Sequence, residues 1–418
     1  MKYKLISLLL LTFLFSCSKE TTIEESDRTI LIYMAAENSL SQFALNDVEE
    51  MLTGMKEIDD SRNNLLLYLD AVLYESDGVT KMPPAIYRFR KAKNGDVMKE
   101  MVYQYPEQDD SSVTKERMYD VFKRSFSTYK AKSYGLVLWS HGDGWIPYQT
   151  SSLRSFGQDG GSSGPMMDIF DLEDAIRSGS SCLEGASRFD FIYFDACYMQ
   201  SVEVAYQLRS YANYIIGSPM ETPALGSPYD KILPYLFTEG ELGVKGMASC
   251  YYDSYAKLYN GGKNSSNNHW TSGASLSVVR TDALEQLAAS TKQIYANHRE
   301  DLEDMSEAKI ASVQYFDHNR RYNRVLMRIY YDLGDYVRYL SQDDEYAGWG
   351  KKLDDSLIFA QSTPTCYCAS AYVYTGKGDI PIEAFSGLST YVLFTNDEKY
   401  AEWNTYYRKL DWYKQVYQ

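Results

Sequence analysis

Two short apolar runs in this 418-residue chain each end in a side chain able to do covalent chemistry. Gly135-Leu-Val-Leu-Trp-Ser-His141-Gly-Asp-Gly-Trp145 delivers an imidazole, and Phe189-Asp-Phe-Ile-Tyr-Phe-Asp195-Ala-Cys197 delivers a thiol. A thiolate attacks a carbonyl well only when a base or cation lowers the thiol pKa, and histidine is the usual partner. The negative charge that develops on the carbonyl oxygen then needs N–H donors. Cys197 sits where a strand gives way to a helical pattern, so its own N–H can face a substrate. Gly142 has no side chain, which lets its N–H approach the same oxygen. Asp195 lies two residues before Cys197, on the same face of the strand end. A carboxylate there can receive a basic side chain. Taken singly, each residue has a plainer role: Cys197 and His141 as packing groups, Asp195 as the cap of the next helix. Their joint appearance at two strand ends, each beside a Gly or Ala, points to chemistry.

Both runs have the composition of buried parallel strands, short and β-rich, broken by a polar residue or glycine. In open α/β sheets, reactive groups gather at the carboxyl ends of the strands. Arg28 to Ala36 reads as a first strand, followed by an amphipathic helix to about Met55. Asn64 to Leu69 reads as a second strand, and Ala85 to Arg90 with Val97 to Tyr103 as a hairpin turning at Asn94-Gly-Asp96. Ser111 or Ser112 is the expected cap of a helix to about Tyr129, and another helix is expected from about Asp168 to Ser178. The pattern after Cys197 predicts a helix from Tyr198 to Ser210, and Thr281 is the expected cap of a long helix to about Met305. Ala369 to Val373 and Leu388 to Phe394 read as late strands. The alternation predicts an α/β fold, with a mostly parallel central sheet and helices on both faces. The Gly/Ser/Asn stretch Gly261 to Ser272 predicts a boundary between a core over 28–260 and a C-terminal part over 261–418 that completes and supports it. The glycine-rich stretch Tyr148 to Pro165, between the two reactive residues, is long for a compact domain, and such loops are usually functional or mobile.

A formal charge of −15 argues against nucleic acid as a partner, because phosphate binding calls for a basic face. The same field would draw in a basic substrate. Lys2 and Lys4 precede an apolar run, Leu5 to Phe15, too short to span a bilayer, which predicts a signal peptide over 1–16. Leu14-Phe-Ser-Cys17 is similar to a bacterial lipobox. That similarity implies a lipid on Cys17, a polar tether over 17–27, and an extracytoplasmic protein anchored to a membrane. Five cysteines follow Cys17, an odd number, so at least one thiol stays unpaired. Cys182, Cys250, Cys366 and Cys368 read as buried small hydrophobes. The remaining histidines show no zinc-ligand spacing.

Ser140-His-Gly-Asp-Gly-Trp145 and Asp195-Ala-Cys-Tyr-Met199 resemble the two signature blocks of the clostripain-like cysteine peptidases, in the clan of caspases, legumain and gingipains. Ile30-Leu-Ile-Tyr-Met-Ala-Ala-Glu-Asn38 resembles the family's first strand, and Leu410-Asp-Trp-Tyr413 its C-terminal block. The resemblance implies a caspase-like α/β/α sandwich and a Cys-His dyad, without an essential third member, that cleaves after Arg or Lys. On that resemblance Cys197 is the nucleophile and His141 the general acid/base. The main-chain N–H groups of Gly142 and Cys197 form the oxyanion hole, and Asp195 contributes to a basic-selective S1 pocket. Peptide or protein substrates with basic P1 residues are the implied partners. Two departures stand out. Tyr198 occupies a position that is usually aliphatic, and Ser218 to Tyr229 lacks the usual Gly-Trp pair. Glu221 in that segment is either a second pocket acid or a solvated loop charge. Some relatives cut themselves after a basic residue between the His and the Cys; Arg154, alone among basic residues in the long loop, is the expected site. No cofactor is implied outright. Some relatives depend on calcium, and the acidic loops here would permit it, although no ligand spacing stands out. Two readings compete with this one: a surface lipoprotein without catalysis that binds peptide or glycan, and a non-proteolytic hydrolase or transpeptidase on the same dyad.

Overall fold

Strand β1 (Ser26–Ala36) is buried from Arg28 onward, and its alternate side chains feed two different cores. Leu31, Tyr33 and Ala35 join one cluster, while Ile30, Ile32 and Met34 join the other. A strand buried on both faces belongs at the centre of a sheet covered by helices on each side. The computed structural model describes residues 25–418, apart from 77, 107–110, 147–154, 162–163, 262–268, 319–320, 323–324 and 370–378. Among the described residues the remaining strands of the central sheet are β2 (Asn63–Glu75), β3 (Gly78–Lys81), β4 (Ala85–Lys91), β5 (Val97–Gln104), β6 (Ala131–Trp139), β7 (Phe189–Asp195), β8 (Ala212–Gly217), β9 (Ser275–Arg280) and β10 (Leu357–Ser362). Their order is β10-β9-β8-β7-β6-β1-β2-β4-β5, with β3 paired to β2. The five strands from β8 to β2 run parallel, and both edges are finished by antiparallel strands. This is the expected α/β class.

Helices α1 (Ser41–Gly54), α5 (Tyr229–Leu236) and α6 (Gly240–Leu258) cover one face of the sheet. Helices α2 (Lys115–Thr128), α3 (Ile169–Ser180), α4 (Val202–Leu208) and α7 (Leu284–Asn297) cover the other. The C-terminal segment packs on that second face, with Trp412 against Tyr206 at 5.4 Å between ring centres.

The amino ends of the central strands are tied by one buried ion pair. Arg28 Nη2 lies 2.6 Å from Asp190 Oδ2, with side-chain exposures of 3% and 5%. The same guanidinium donates to the Ser133 hydroxyl and to the Leu236 carbonyl at 2.7 Å, so β1, β6, β7 and α5 share one anchor. Removing one partner of such a pair costs about 3–5 kcal/mol, because the other charge is left buried.

Four local expectations are corrected. The helix expected from Tyr198 starts only at Val202, where the Ser201 hydroxyl accepts from the Val204 N–H at 3.2 Å. The cap of α2 is Thr114, whose hydroxyl accepts from the Arg117 N–H at 3.2 Å. The Ser111 hydroxyl instead accepts from the Val113 N–H at 3.2 Å, and the Ser112 hydroxyl donates to Asp70 of β2. The long helix after Thr281 stops at Asn297, because His298 leaves the helical region (φ −115, ψ 34) and bonds Glu345 at 2.8 Å. Thr281 does not cap that helix; its hydroxyl donates to Ala212 O at 2.7 Å. The late strand expected from Leu388 is short, Ser389–Thr390, and residues 370–373 of the other lie outside the described residues.

Several buried acids set how stability responds to pH. Burial pushes the Glu203 carboxyl up to about 7 and the Asp332 carboxyl up to about 6. The folded chain therefore keeps protons that the unfolded chain has released, and protons favour the fold in this window. Their contribution is complete below the ordinary carboxylate range and is lost as pH rises through 6 and 7. The thermal midpoint of a Cys197→Ala protein is expected to be higher at about pH 5 than at pH 8, and Glu203→Gln to flatten part of that slope. A midpoint that climbs from pH 5 to 8 would contradict this reading.

Candidate active site

The register of β6 and β7 pairs Trp139 with Asp195. Carried two residues further along both chains, it sets His141 opposite Cys197 at adjacent carboxyl ends. Both line one cleft of about 370 Å3, with Gly142, Asp195, Glu221 and Gly226 among the other walls.

Burial lowers the His141 pKa to about 4, so its ring is neutral at pH 7 and able to take a proton. Ser39 Oγ lies 3.0 Å from His141 Nε2 and helps to hold the ring. Ser39 is held in turn by its neighbour Asn38, whose amide donates to Ala35 O at 3.0 Å and Gln158 O at 2.8 Å. Cys197 Sγ receives the Thr222 N–H at 3.3 Å, and the Thr222 hydroxyl lies 3.5 Å away. An N–H aimed at sulfur favours the thiolate over the thiol.

Gly142 forms a bridge with Phe156, flanked by Asp143 N–H to Ser155 O (2.8 Å) and Gly157 N–H to His141 O (2.9 Å). In that pattern Gly142 and Phe156 are a non-hydrogen-bonded pair, so the Gly142 N–H points away from Phe156. A side chain at Gly142 could not be accommodated: its Cβ would stand 2.5 Å from the Cys197 carbonyl oxygen and 2.9 Å from Ala196 Cβ. The glycine thus permits the His loop and the Cys loop to touch.

Tyr198 has φ +59, a left-handed conformation that is rare for a bulky side chain. Such a residue costs about 1–3 kcal/mol and persists where its surroundings hold it. Here its N–H donates to Met220 O at 3.0 Å, and its ring stacks on Tyr330 with centres 4.6 Å apart. The turn redirects the chain immediately after Cys197 and delays the following helix. Glu221 also borders the cleft. Its carboxylate accepts from the Tyr198 hydroxyl at 3.2 Å and from the Ala369 N–H at 2.9 and 3.1 Å.

The floor of the cleft is acidic. Asp195 Oδ2 accepts from the Ser227 N–H and the Tyr229 hydroxyl, each at 3.0 Å, so it does not cap a helix. Asp47, from α1, accepts from Trp139 Nε1 at 2.8 Å. A Cβ on Gly226 would meet Asp47 Oδ2 at 2.9 Å and Asp195 Oδ2 at 3.4 Å, so the two carboxylates flank the open space that this glycine leaves. Burial raises the pKa of both acids, and the charge of Asp195 raises that of Asp47 further. Among the described residues neither carboxylate has an ion-pair partner. Two buried acids without a cation form a site suited to one.

Sequence reasoning named His141, Gly142, Asp195, Cys197 and Glu221, and all five border this cleft. Arg154 and Cys17 lie outside the described residues. Asp47, Ser39 and Thr222 were not anticipated. For Asp47 a signal existed: it interrupts the buried stripe Ala44, Val48, Met51 of α1, where an acid needs a reason. Ser39 and Thr222 carry no such mark. Of the other cysteines, Cys366 and Cys368 are core residues, while Cys182 and Cys250 are half-buried at its edges.

The sequence profile of the clostripain family matches residues 32–418. A clostripain from Hathewaya histolytica is 30% identical over 236 residues, 51% of this chain and 43% of that protein, so the match spans less than half of the relative's length. Among solved structures, a secreted C11 cysteine protease from Bacteroides thetaiotaomicron in complex with an irreversible peptide inhibitor is 37% identical, with a TM-score of 0.77 over 94% of this chain and 99% of that one. An inactive zymogen C11 protease from Parabacteroides distasonis is 30% identical, with a TM-score of 0.74 over 94% of this chain and 99% of the other.

The geometry predicts an order of thiol reactivity. Brief treatment with iodoacetamide near neutral pH is expected to alkylate Cys197 before Cys250 or Cys366. Burial raises the pKa of the Cys250 thiol and pushes that of Cys366 up to about 12, so little thiolate exists there. Peptide mass mapping over a time course reads the order, and early modification of Cys366 would count against this assignment.

Proposed function

The chain belongs to the clostripain family, and from that premise we propose that it is a cysteine endopeptidase cleaving peptide bonds after Arg or Lys. The observation that carries the proposal is the pairing of β6 with β7, which brings an imidazole and a thiol to one cleft above two unpaired buried acids. The peptide inhibitor bound to the 37%-identical relative supports a peptide substrate.

In the proposed reaction, neutral His141 takes the thiol proton and Cys197 Sγ attacks the scissile carbonyl carbon. The N–H groups of Gly142 and Cys197 receive the oxyanion, a stabilisation worth about 10²–10³ in kcat per donor in comparable sites. His141 returns the proton to the leaving amine as the C–N bond breaks, leaving a thioester on Cys197. Water then attacks the thioester, His141 takes the proton of the incoming water, and the carboxylate product departs with regeneration of the thiol. Asp195, assisted by Asp47, receives the guanidinium or ammonium of the P1 residue. Glu221 shapes the opposite wall through its bonds to Tyr198 and Ala369.

Two further parts of the reading concern maturation. Cleavage after Arg154 would release the loop between His141 and Cys197, and the zymogen named among the relatives supports a made-inactive form. A lipid on Cys17 would hold the enzyme outside the cytoplasm, in keeping with the secreted relative. Among the described residues no helix is long and apolar enough to cross a membrane.

Fluorogenic peptides carrying Arg, Lys, Asp, Asn or Leu at P1 test the proposal. Turnover is expected only after Arg or Lys, and is expected to vanish in Cys197→Ala. Gly142→Ala should lower kcat by forcing the His141 loop away from the Cys197 loop, because the added Cβ would stand 2.5 Å from the Cys197 carbonyl oxygen. Asp47→Asn should lower kcat/KM for basic P1 by about 10- to 100-fold, the worth of one hydrogen bond to a charged group. The same variant should raise the thermal midpoint at pH 8 more than at pH 5, because the carboxyl it removes is disfavoured only when ionised. Turnover after Leu or Asp would remove the basic pocket, and silence across the panel would favour a binding protein.

A further inference from the structure

A second hollow, of about 270 Å3, opens where α7, the short helix Arg299–Glu303 and the C-terminal helix Asp411–Tyr417 meet. It shares no lining residue with the peptidase cleft. Three basic side chains reach its wall from three elements. They are Lys292 of α7, Arg299 of the short helix, and Arg408, which ends the helix Ala401–Tyr407. Among the described residues none of the three has an ion-pair partner. Basic residues elsewhere on the C-terminal stretch do: Lys414 pairs with Asp411 at 3.1 Å and Lys399 with Glu307 at 2.9 Å. The chain holds 57 acids against 42 bases, so carboxylates are not scarce, and three unpaired cations around one hollow call for a reason. Glu303 is the only acidic side chain among the residues that line it.

Two phenols lie deeper in the same hollow. Tyr295 is 3% exposed, and its ring packs on that of Tyr417 with centres 4.8 Å apart. Both hydroxyl oxygens are buried, and neither has a hydrogen-bond partner outside this pair. Burial keeps both hydroxyls protonated far above neutral pH, so at least one O–H is left without an acceptor. A buried donor left unmade costs about 1–3 kcal/mol, and such a group marks a place where an acceptor belongs. Much of the remaining wall is apolar, from Leu302, Leu393 and Val416.

We propose that this hollow binds a phosphate or sulfate ester, with the oxyanion seated among Lys292, Arg299 and Arg408 and a hydroxyl of the Tyr295–Tyr417 pair donating to it. Guanidinium forks give paired N–H bonds to such an anion, and the ammonium adds a point charge. The apolar side of the hollow takes the carbon skeleton that carries the group, in the manner of small-molecule sites that combine apolar walls with a few placed polar groups. Two sources carry that chemistry, a soluble anionic ester and the headgroup of a membrane lipid. A bound anion would also tie α7 to the C-terminal helix, since Lys292 and Tyr295 stand on one and Tyr417 on the other.

The test uses the full chain carrying Cys197→Ala, so that it cannot digest itself. Thermal unfolding is followed while inorganic phosphate is added, with sodium chloride at matched ionic strength as the control. A saturable rise in midpoint on the order of a few degrees is expected with phosphate and not with chloride. Arg299→Gln and Arg408→Gln, both at exposed positions, should each weaken the titration about tenfold or more, the worth of one hydrogen bond to a charged group. Tyr417→Phe should weaken it too, while leaving the phosphate-free midpoint unchanged or higher, because the hydroxyl it removes is buried. Glu303→Gln should strengthen the titration by removing the acid from the wall. Sedimentation with phosphatidylcholine vesicles, with and without phosphatidylglycerol, separates the two sources. Capture that depends on both phosphatidylglycerol and Arg299 assigns the site to a lipid headgroup, and capture independent of them assigns it to a soluble ester. A phosphate response that never saturates, as exclusion of a kosmotropic salt gives, or one retained in both arginine variants, would overturn the site.

Discussion

The chemistry of this protein hangs on one stretch of backbone pairing, the parallel ladder between β6 and β7. Neither reactive group is on a strand; each is carried just past the end of one. A slip of one residue in that ladder would turn one of the two side chains to the opposite face of the sheet. The structure guards the register at the far end of the same strands. Arg28 binds Asp190 of β7, Ser133 of β6 and the end of α5, so the anchor acts on both members of the ladder at once. Hydrophobic burial alone would not specify the register so firmly, because β6 and β7 are apolar on both faces.

Beyond the strand ends the chain gives up regular structure, and the site is made of departures from it. Gly142 allows two loops to approach at a distance that no other residue would tolerate. Tyr198 accepts an unfavourable backbone conformation immediately after Cys197. Its ring is held by Tyr330, whose hydroxyl reaches Asp143 of the histidine loop at 3.0 Å. The strained turn and the histidine loop are thereby braced by the same C-terminal tyrosine. Trp145, at the end of that loop, packs against Tyr391, Tyr406 and Tyr407. The tyrosine-rich composition finds a use here, since these rings combine large apolar contact with a hydroxyl for a specific bond.

Buried carboxylates are the other theme. Asp195 and Asp47 sit below the cleft, Glu203 below the second face, and Asp70 with Asp159 beside β1. Burial disfavours the ionised forms of Asp195, Asp47, Glu203 and Asp70, so these four weaken the fold at neutral pH relative to mild acid. Glu203 is used structurally, accepting from the Tyr391 N–H at 2.8 Å and the Thr390 hydroxyl at 3.0 Å, which ties α4 to the C-terminal segment. Asp195 likewise accepts two hydrogen bonds, whereas Asp47 and Asp70 accept one each among the described residues. Under the proposed function, the acids below the cleft would be stabilised by a basic side chain that arrives with the substrate.

What the amino-acid sequence by itself determined is considerable. Apolar β-rich runs, the residues that break them and the alternation with helices act locally, and they sufficed for an α/β fold with His141 and Cys197 at strand ends. Local reading failed where the chain answers to distant partners. The helix after Cys197 starts late because Tyr198 is held by Met220 and Tyr330, and Thr281 bonds to β8 rather than to its own helix. The same limit applies to the site. Asp47, Ser39 and Thr222 come from α1 and from two loops far from Cys197 in sequence, and only the packing of those elements sets them beside the reactive pair. Contacts between elements depend on register, helix rotation and loop closure acting together, and no pattern within a single segment encodes their outcome. Tertiary structure alone decided, therefore, that the floor of the cleft holds a second acid and that a serine steadies the imidazole.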